Sequence, residues 1–179
     1  MARSPSQARP LVAILMGSAS DLEKMARCAQ VLGDYGIAYE ARVLSAHRTP
    51  EDTLRFARAA ERRGIKVIIA GAGGAAHLAG VVAAQVTLPV IGVPIDSSPL
   101  AGVDALLSTV QMPPGVPVAT VGIGAMGAAN AGHLAAAMLA LADPRLRQRL
   151  RDKRRSMAVD VRSSSKGLNR KLRQLLRNP

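Results

Sequence analysis

Five short apolar runs recur along this chain, each followed by a segment with helical spacing and joined by only a few residues, and that alternation leaves few folds open. Leu11–Met16 (LVAILM) is continuously apolar and ends at Gly17, the pattern of a strand buried on both faces. Asp21–Tyr35 follows with Leu22, Met25, Ala26, Ala29, Val31 and Leu32 near helical spacing, and Gly36 closes it at a C′ position. Ile37–Leu44 reads as a second strand. Thr49-Pro50-Glu51-Asp52 then opens a helix, with Thr49 as cap, proline in the first turn and acids at the positive end of the dipole. That helix runs to Arg63 and stops at Gly64. Strands are predicted at Val67–Ala70, Val90–Val93 and Val118–Val121, and helices at His77–Val86, Asp104–Val110 and Ala128–Leu141. Such alternation predicts a three-layer α/β domain, a doubly wound parallel sheet with helices on both faces and flavodoxin-like strand order.

Charge separates this body from the C-terminal segment. The net charge is +12, but of the 24 Lys and Arg residues 13 lie from Arg145 onward, against Asp152 and Asp160 alone. The folded body is therefore nearly neutral, and the basicity belongs to a C-terminal helical extension. Arg145–Met157 reads as a basic helix, Ser163–Gly167 as a polar break and Leu168–Arg177 as a last amphipathic stretch. The chain is read as an N-terminal arm (1–10), an α/β domain with its C-terminal helix (11–157) and a basic tail (158–179). Such a tail is a solvated extension, of a composition compatible with disorder, or a tether to nucleic acid, an anionic surface or a partner enzyme; the first reading is preferred. Aromatic residues make up 2% of the chain, which weighs against stacking on single-stranded nucleic acid. A single cysteine, Cys28, excludes an internal disulfide, fits a reducing compartment and falls on the apolar side of the first helix. With no run of about 20 apolar residues and no signal-like start, a soluble, cytoplasmic protein is expected.

The polar residues of interest gather where ligands bind in open parallel sheets, beyond the carboxyl ends of the strands. After the first strand, Gly17-Ser18-Ala19-Ser20-Asp21 offers an anion site of free backbone N–H groups, or else plain capping by Ser18 or Ser20. After the second, Ser45-Ala46-His47-Arg48-Thr49-Pro50 sets a guanidinium fork for phosphate beside an imidazole, the side chain best suited to give and take a proton. After the third, Gly71–Ala76 permits close backbone approach to a ligand, and His77 opens the next helix. Gly71-x-Gly73-x-x-Ala76 and Gly122-x-Gly124-x-x-Gly127 match a dinucleotide fingerprint, but neither follows the first strand of a suitable unit, so nicotinamide and flavin are not expected. His47, His77 and His133 lack metal-ligand spacing, and no nucleophile elbow or Walker loop is present. The residues by themselves point to an enzyme acting on a small phosphorylated molecule, with His47 or His77 as acid–base group.

Several motifs go further. MGSASD (Met16–Asp21), SAHRTP (Ser45–Pro50), AGAGGAAHLAG (Ala70–Gly80), LPVIGVP (Leu88–Pro94), VQMPPGVPVATVGIG (Val110–Gly124) and AANAG (Ala128–Gly132) closely resemble the class I N5-carboxyaminoimidazole ribonucleotide mutases, over roughly residues 10–157. The resemblance implies a flavodoxin-like octamer, without metal or organic cofactor, that converts N5-carboxyaminoimidazole ribonucleotide into 4-carboxy-5-aminoimidazole ribonucleotide. It implies that Ser20, Ser45 and Arg48 hold the 5′-phosphate and Asp21 the ribose hydroxyls. Ser18 and the backbone of Ala72, Gly73 and Gly74 would line the imidazole and carboxylate, with His77 in a binding role and His47 as general acid and base. One imidazole can deliver a proton to N5 and later remove one from C4. Released CO2 would need a small, dry pocket between the two steps. Functional coupling to the ATP-dependent carboxylase that makes the labile substrate is a further expectation.

Arg48-Thr49-Pro50 and the GAGGAAH run resemble the mutases more than the related branch that uses free CO2, where a Lys tends to follow the histidine. Leu22 stands where the family commonly has Trp, Ala79 where Pro is usual, and Asp96–Pro99 alters a loop that is often Gln- or Lys-containing and Ala-rich. A nucleotide-sensing binding module with a nucleic-acid tail and a flavodoxin-like redox protein are the competing readings, and the titrating imidazole argues against the first.

Overall fold

The computed structural model describes residues 9–177, which divide after Leu139 into two units. Five strands and five α-helices, with a short 3-10 turn after the first strand, build the first unit. They are β1 (Val12–Met16), α1 (Leu22–Asp34), β2 (Tyr39–Val43), α2 (Pro50–Ala60), β3 (Val67–Gly73), α3 (Leu78–Ala83), β4 (Val90–Ile95), α4 (Val103–Val110), β5 (Ala119–Thr120) and α5 (Gly124–Leu139). The strands form one sheet in the order β2-β1-β3-β4-β5, with every pairing parallel. This is the flavodoxin-like order the alternation predicts. Its switch point lies between β1 and β3, where Met16 is in register with Gly71.

The apolar runs are central strands: β1 and β4 are buried along their whole length and β3 over Val67–Gly71. Ala13, Leu15, Ile68 and Ala70 pack with Phe56, Ala57 and Ala60 of α2 and with Leu78, Ala79 and Val82 of α3. Period-2 alternation sends Val12, Ile14 and Ile69 to the opposite face. There α1 and α5 approach so closely that a Cβ on Gly132 would press on Val31 and on the Cys28 carbonyl. Cys28 is fully buried, as expected for core, and burial pushes its thiol up to about 12.

Several boundaries differ from the sequence reading. β2 begins at Tyr39 instead of Ile37 and is mostly exposed, because it is the edge strand and the buried Ile37 and Ala38 precede it. β3 absorbs Gly71–Gly73, so half of the expected glycine loop is strand paired with β4. α3 covers only Leu78–Ala83, β5 only two residues, and α5 starts at Gly124, four residues early. Thr49 sits at the N-cap of α2 without capping it; its hydroxyl oxygen accepts from Ser45 N–H instead.

The second unit consists of α6 (Pro144–Ser165) and α7 (Leu168–Arg177). Asp143 caps α6 through the amides of Arg145 and Leu146. The helix expected to stop at Met157 continues to Ser165, since no glycine or proline intervenes before Gly167, which turns the chain at φ +83°. Residues 158–177 are exposed and helical apart from the short link at 166–167, in keeping with a solvated C-terminal helical extension. Most of the N-terminal arm, residues 1–8, lies outside the described residues. Among the described residues no helix is long and apolar enough to cross a membrane.

Candidate active site

The loop after β1 folds on itself. Ser18 is extended, and its hydroxyl accepts from Ser20 N–H, while the Asp21 carboxylate accepts from Ser18 N–H at 3.2 Å. This reciprocal capping box closes a short 3-10 turn over Ala19–Asp21. Gly17 N–H is also taken, by the Gly71 carbonyl across the switch point. The amides of Gly17, Ser18 and Ser20 are therefore engaged within the protein, which corrects the expectation of free backbone donors there. What the loop offers a ligand is hydroxyls: Ser20 Oγ lies 2.8 Å from Ser18 Oγ and 3.5 Å from Asp21 Oδ1.

The loop after β2 is a turn from Ser45 to Thr49, whose N–H donates to the Ser45 carbonyl at 3.0 Å. Ser45 Oγ accepts from Arg48 N–H at 3.1 Å. Arg48 reaches across to the first loop, where its Nη2 donates to the Gly17 carbonyl at 2.8 Å. That bond, with Nε donating to Ser45 Oγ at 3.5 Å, holds the guanidinium beside the Ser18–Asp21 turn and leaves its other Nη hydrogens for an anion.

His47 meets His77 across the loops after β2 and β3. His47 Nε2 and His77 Nδ1 are 2.8 Å apart, with the rings edge to face at 4.9 Å between centroids. His77 occupies the N-cap of α3 but forms no side-chain cap there. Gly74 adopts φ +60°, the left-handed turn that releases the chain from β3.

These loops surround one cavity of about 300 Å³. Ser18, Ser20, Asp21, Ser45, His47, Arg48, Ala72, Gly73 and His77 all line it, whereas Gly74 does not. One polar lining residue escaped the sequence reading: Ser97, just past the end of β4. The rule that directed attention to the first three strand ends applies to the fourth as well. Where a small dry pocket was expected, the cavity is open, with His47, Arg48 and His77 exposed, because the loops stand beyond the end of the sheet.

Charge is unevenly distributed around it. Asp21 is 4% exposed, and its burial raises the carboxyl above its ordinary range. Hydrogen bonds from Ser18 and Ser20 and the charges of Lys24 and Arg48 oppose that rise. Asp96 is held below its ordinary value, chiefly by its hydrogen bond from Lys24.

The glycines of the two dinucleotide fingerprints have packing reasons of their own. Met25 fills the space over Gly71, a Cβ on Gly73 would collide with the Ser97 hydroxyl, and one on Gly127 would strike the Gly122 carbonyl. Among the described residues no group of three or more His, Cys, Asp or Glu is placed to hold a metal ion. The arrangement can bind an anion at Arg48 and the serine hydroxyls, hold hydroxyl groups at Asp21 and move protons through paired imidazoles.

Known proteins share this chain's sequence and fold. The model of the AIR carboxylase family matches residues 11–160. An N5-carboxyaminoimidazole ribonucleotide mutase of Bacillus subtilis is 54% identical over 157 residues, covering 88% of this chain and 97% of that protein. One from Pyrococcus abyssi is 57% identical over 148 residues, 83% of this chain and 84% of that one. A bifunctional purine synthesis protein of Dictyostelium discoideum is 58% identical over 132 residues, 74% of this chain but 13% of its own length. The crystal structure of Treponema denticola PurE superposes with a TM-score of 0.79 at 33% identity, over 89% of this chain and 99% of that one.

Proposed function

This chain belongs to the AIR carboxylase family, and from that premise we propose how its site works. It is an isomerase of purine biosynthesis, converting N5-carboxyaminoimidazole ribonucleotide into 4-carboxy-5-aminoimidazole ribonucleotide. Arg48, with the hydroxyls of Ser20 and Ser45, grips the 5′-phosphate, and Asp21 accepts from the ribose hydroxyls. Ser18, His77 and the backbone of Ala72, Gly73 and Gly74 line the base and its carboxylate.

His47 carries the proton. The N5–carboxylate bond breaks to release CO2, and its electron pair stays on N5, which takes a proton from His47. The electron-rich C4 then attacks CO2, and the C4 proton returns to His47, leaving the imidazole as it began. No electrons are gained or lost and no co-reactant is consumed. The observation that carries this reading is the His47–His77 contact at the wall of the cavity that also holds Arg48, Ser20 and Ser45. An acid–base group and an anion grip are what this migration needs.

The working form is a homo-octamer in the cytoplasm, without metal or organic cofactor. Exposed Val103, Leu107 and Val110 on α4 and Met126 on α5 support burial against other copies. Closure of the open cavity over CO2 falls to the bound nucleotide and to neighbouring copies. Catalysis resides in residues 11–157, with 1–10 an arm and 158–179 an appendage that binds neither membrane nor nucleic acid. The enzyme is coupled to the ATP-dependent carboxylase that makes its substrate. The bifunctional Dictyostelium relative supports such linkage between purine enzymes.

Freshly generated N5-carboxyaminoimidazole ribonucleotide tests the assignment, run against aminoimidazole ribonucleotide plus bicarbonate. Rapid conversion of the first, with little use of the second at low bicarbonate, is expected. Inactivity of the folded protein on both would overturn the assignment and favour a binding module.

A further inference from the structure

We propose that Ser97 is a further substrate-contacting residue of this site, placed there by an ion pair between Lys24 and Asp96. The inference rests on the mutase reading and adds a fourth wall to it. Ser97 lines the cavity, and its hydroxyl lies against the Cα of Gly73, where any side chain would collide with it. Ala72 and Gly73 are the backbone over which the migrating carboxylate is read to lie. A serine hydroxyl at that point supplies a donor to a carboxylate, and it takes no part in the Arg48 bonds to Ser45 and Gly17 at the end read to hold the phosphate.

The position of Ser97 is fixed by its neighbour. Lys24 Nζ bonds Asp96 twice, to Oδ1 at 2.7 Å and to the main-chain carbonyl at 3.0 Å. A cation holding both the side chain and the backbone of one residue restricts the peptide that leads into Ser97. Asp96 is also approached by the starts of α4 and α5, since a Cβ on Gly124 would lie 2.9 Å from Oδ1 and one on Gly102 3.2 Å from its Cα. Ser97 N–H closes the turn onto the Ile95 carbonyl at 3.0 Å. Lys24 belongs to the first turns of α1, directly after the Ser18–Asp21 loop, so the pair ties together the cavity walls at the ends of β1 and β4. With side chains 32% and 42% exposed, the bridge adds little to folding stability. Its removal therefore leaves the fold in place and isolates the positioning effect.

Four variants of the full chain test this with substrate turnover, thermal denaturation and calorimetric binding of aminoimidazole ribonucleotide, which lacks the carboxylate. Ser97→Ala should lower kcat by about tenfold, the loss of one hydrogen bond to a charged group, with melting and aminoimidazole ribonucleotide affinity unchanged. Ser97→Thr, which keeps the hydroxyl, should retain most of the activity. Lys24→Met should lower kcat in the same way by a smaller factor, and Lys24→Arg should restore it. Wild-type kcat in Ser97→Ala, or equal losses in Ala and Thr, would overturn the contact. A Lys24→Met variant with unchanged kcat, or one whose KM and melting fall while kcat holds, would overturn the positioning role. An inactive wild type would instead strike the mutase assignment itself; an active wild type with an unaffected Ser97→Ala strikes this inference alone.

Discussion

His47 Nε2 and His77 Nδ1 face each other at 2.8 Å, so in the neutral pair only one of the two nitrogens carries the hydrogen. When His77 donates, His47 accepts at Nε2 and bears its own proton on Nδ1. When His47 donates, its Nδ1 is a free base. When His47 gives its outer Nδ1 proton to the substrate, the shared proton passes from His77 Nδ1 to His47 Nε2 as the exposed His77 takes a proton from solvent at Nε2. The outer nitrogen of His47, until then the acid, becomes the base. The migration asks for both in turn.

Replacing His47 by Asn should abolish turnover, a loss of at least ~10²–10⁴ in kcat for a positioned acid–base group. The proposed phosphate and ribose contacts lie with other residues, so nucleotide affinity measured by calorimetry should persist. Near-normal turnover would remove His47 from the mechanism.

The 2.8 Å contact with His47 allows His77 to orient that ring in addition to the binding role proposed for it. His77→Ala should lower kcat by about tenfold to a hundredfold, short of the His47→Asn loss. KM should change little, and His77→Asn, whose amide can partly replace the lost bond, should recover some of the rate. Steady-state kinetics of the two variants decide it: a large KM rise with kcat intact would give His77 a binding role only.

Asp21 carries a cost in the folded protein. Its carboxyl is raised by burial, so folding favours the protonated form, and the ionised group destabilises the fold at neutral pH. The penalty is present above the raised folded value and fades as pH falls toward the unfolded one. Asp21→Asn mimics the neutral acid and keeps an oxygen for Ser18 N–H. It should therefore melt higher at pH 7, a 1 kcal/mol gain moving Tm by about 2–4 °C at this length. The advantage should vanish below pH 4, while substrate affinity falls because the ribose hydroxyls lose a charged acceptor. Equal melting of both proteins across pH 4–7 would show that Asp21 carries no such cost.

How far the sequence revealed these features depends on the kind of contact. The buried strands β1, β3 and β4 were legible because continuous apolar runs require cover on both faces. β2 and β5 were placed but trimmed, since an edge strand and a two-residue strand leave weak periodic signals. The site loops could be found from the strand ends, yet not their internal bonding. Ser18, Ser20 and Asp21 satisfy one another, and Thr49 turns back to Ser45, through side-chain geometry that spacing does not encode. Lys24 and Asp96 lie 72 residues apart, and only the fold brings them together.

The tail gives the last test. α6 runs through residue 158 without a break, so deleting residues 158–179 removes its last two turns and all of α7. Every described residue removed is exposed, including Leu168, Leu172, Leu175 and Leu176. Truncation should therefore leave kcat and KM nearly unchanged, within about twofold, because no removed residue lines the cavity between the strand ends. Size-exclusion chromatography of the truncated protein supplies the second readout. Retention of the full-length assembly would assign those leucines to no essential contact. A collapsed oligomer would instead show that the stripe they form along α7 is buried between copies, and that the extension is part of the assembly rather than an appendage to it.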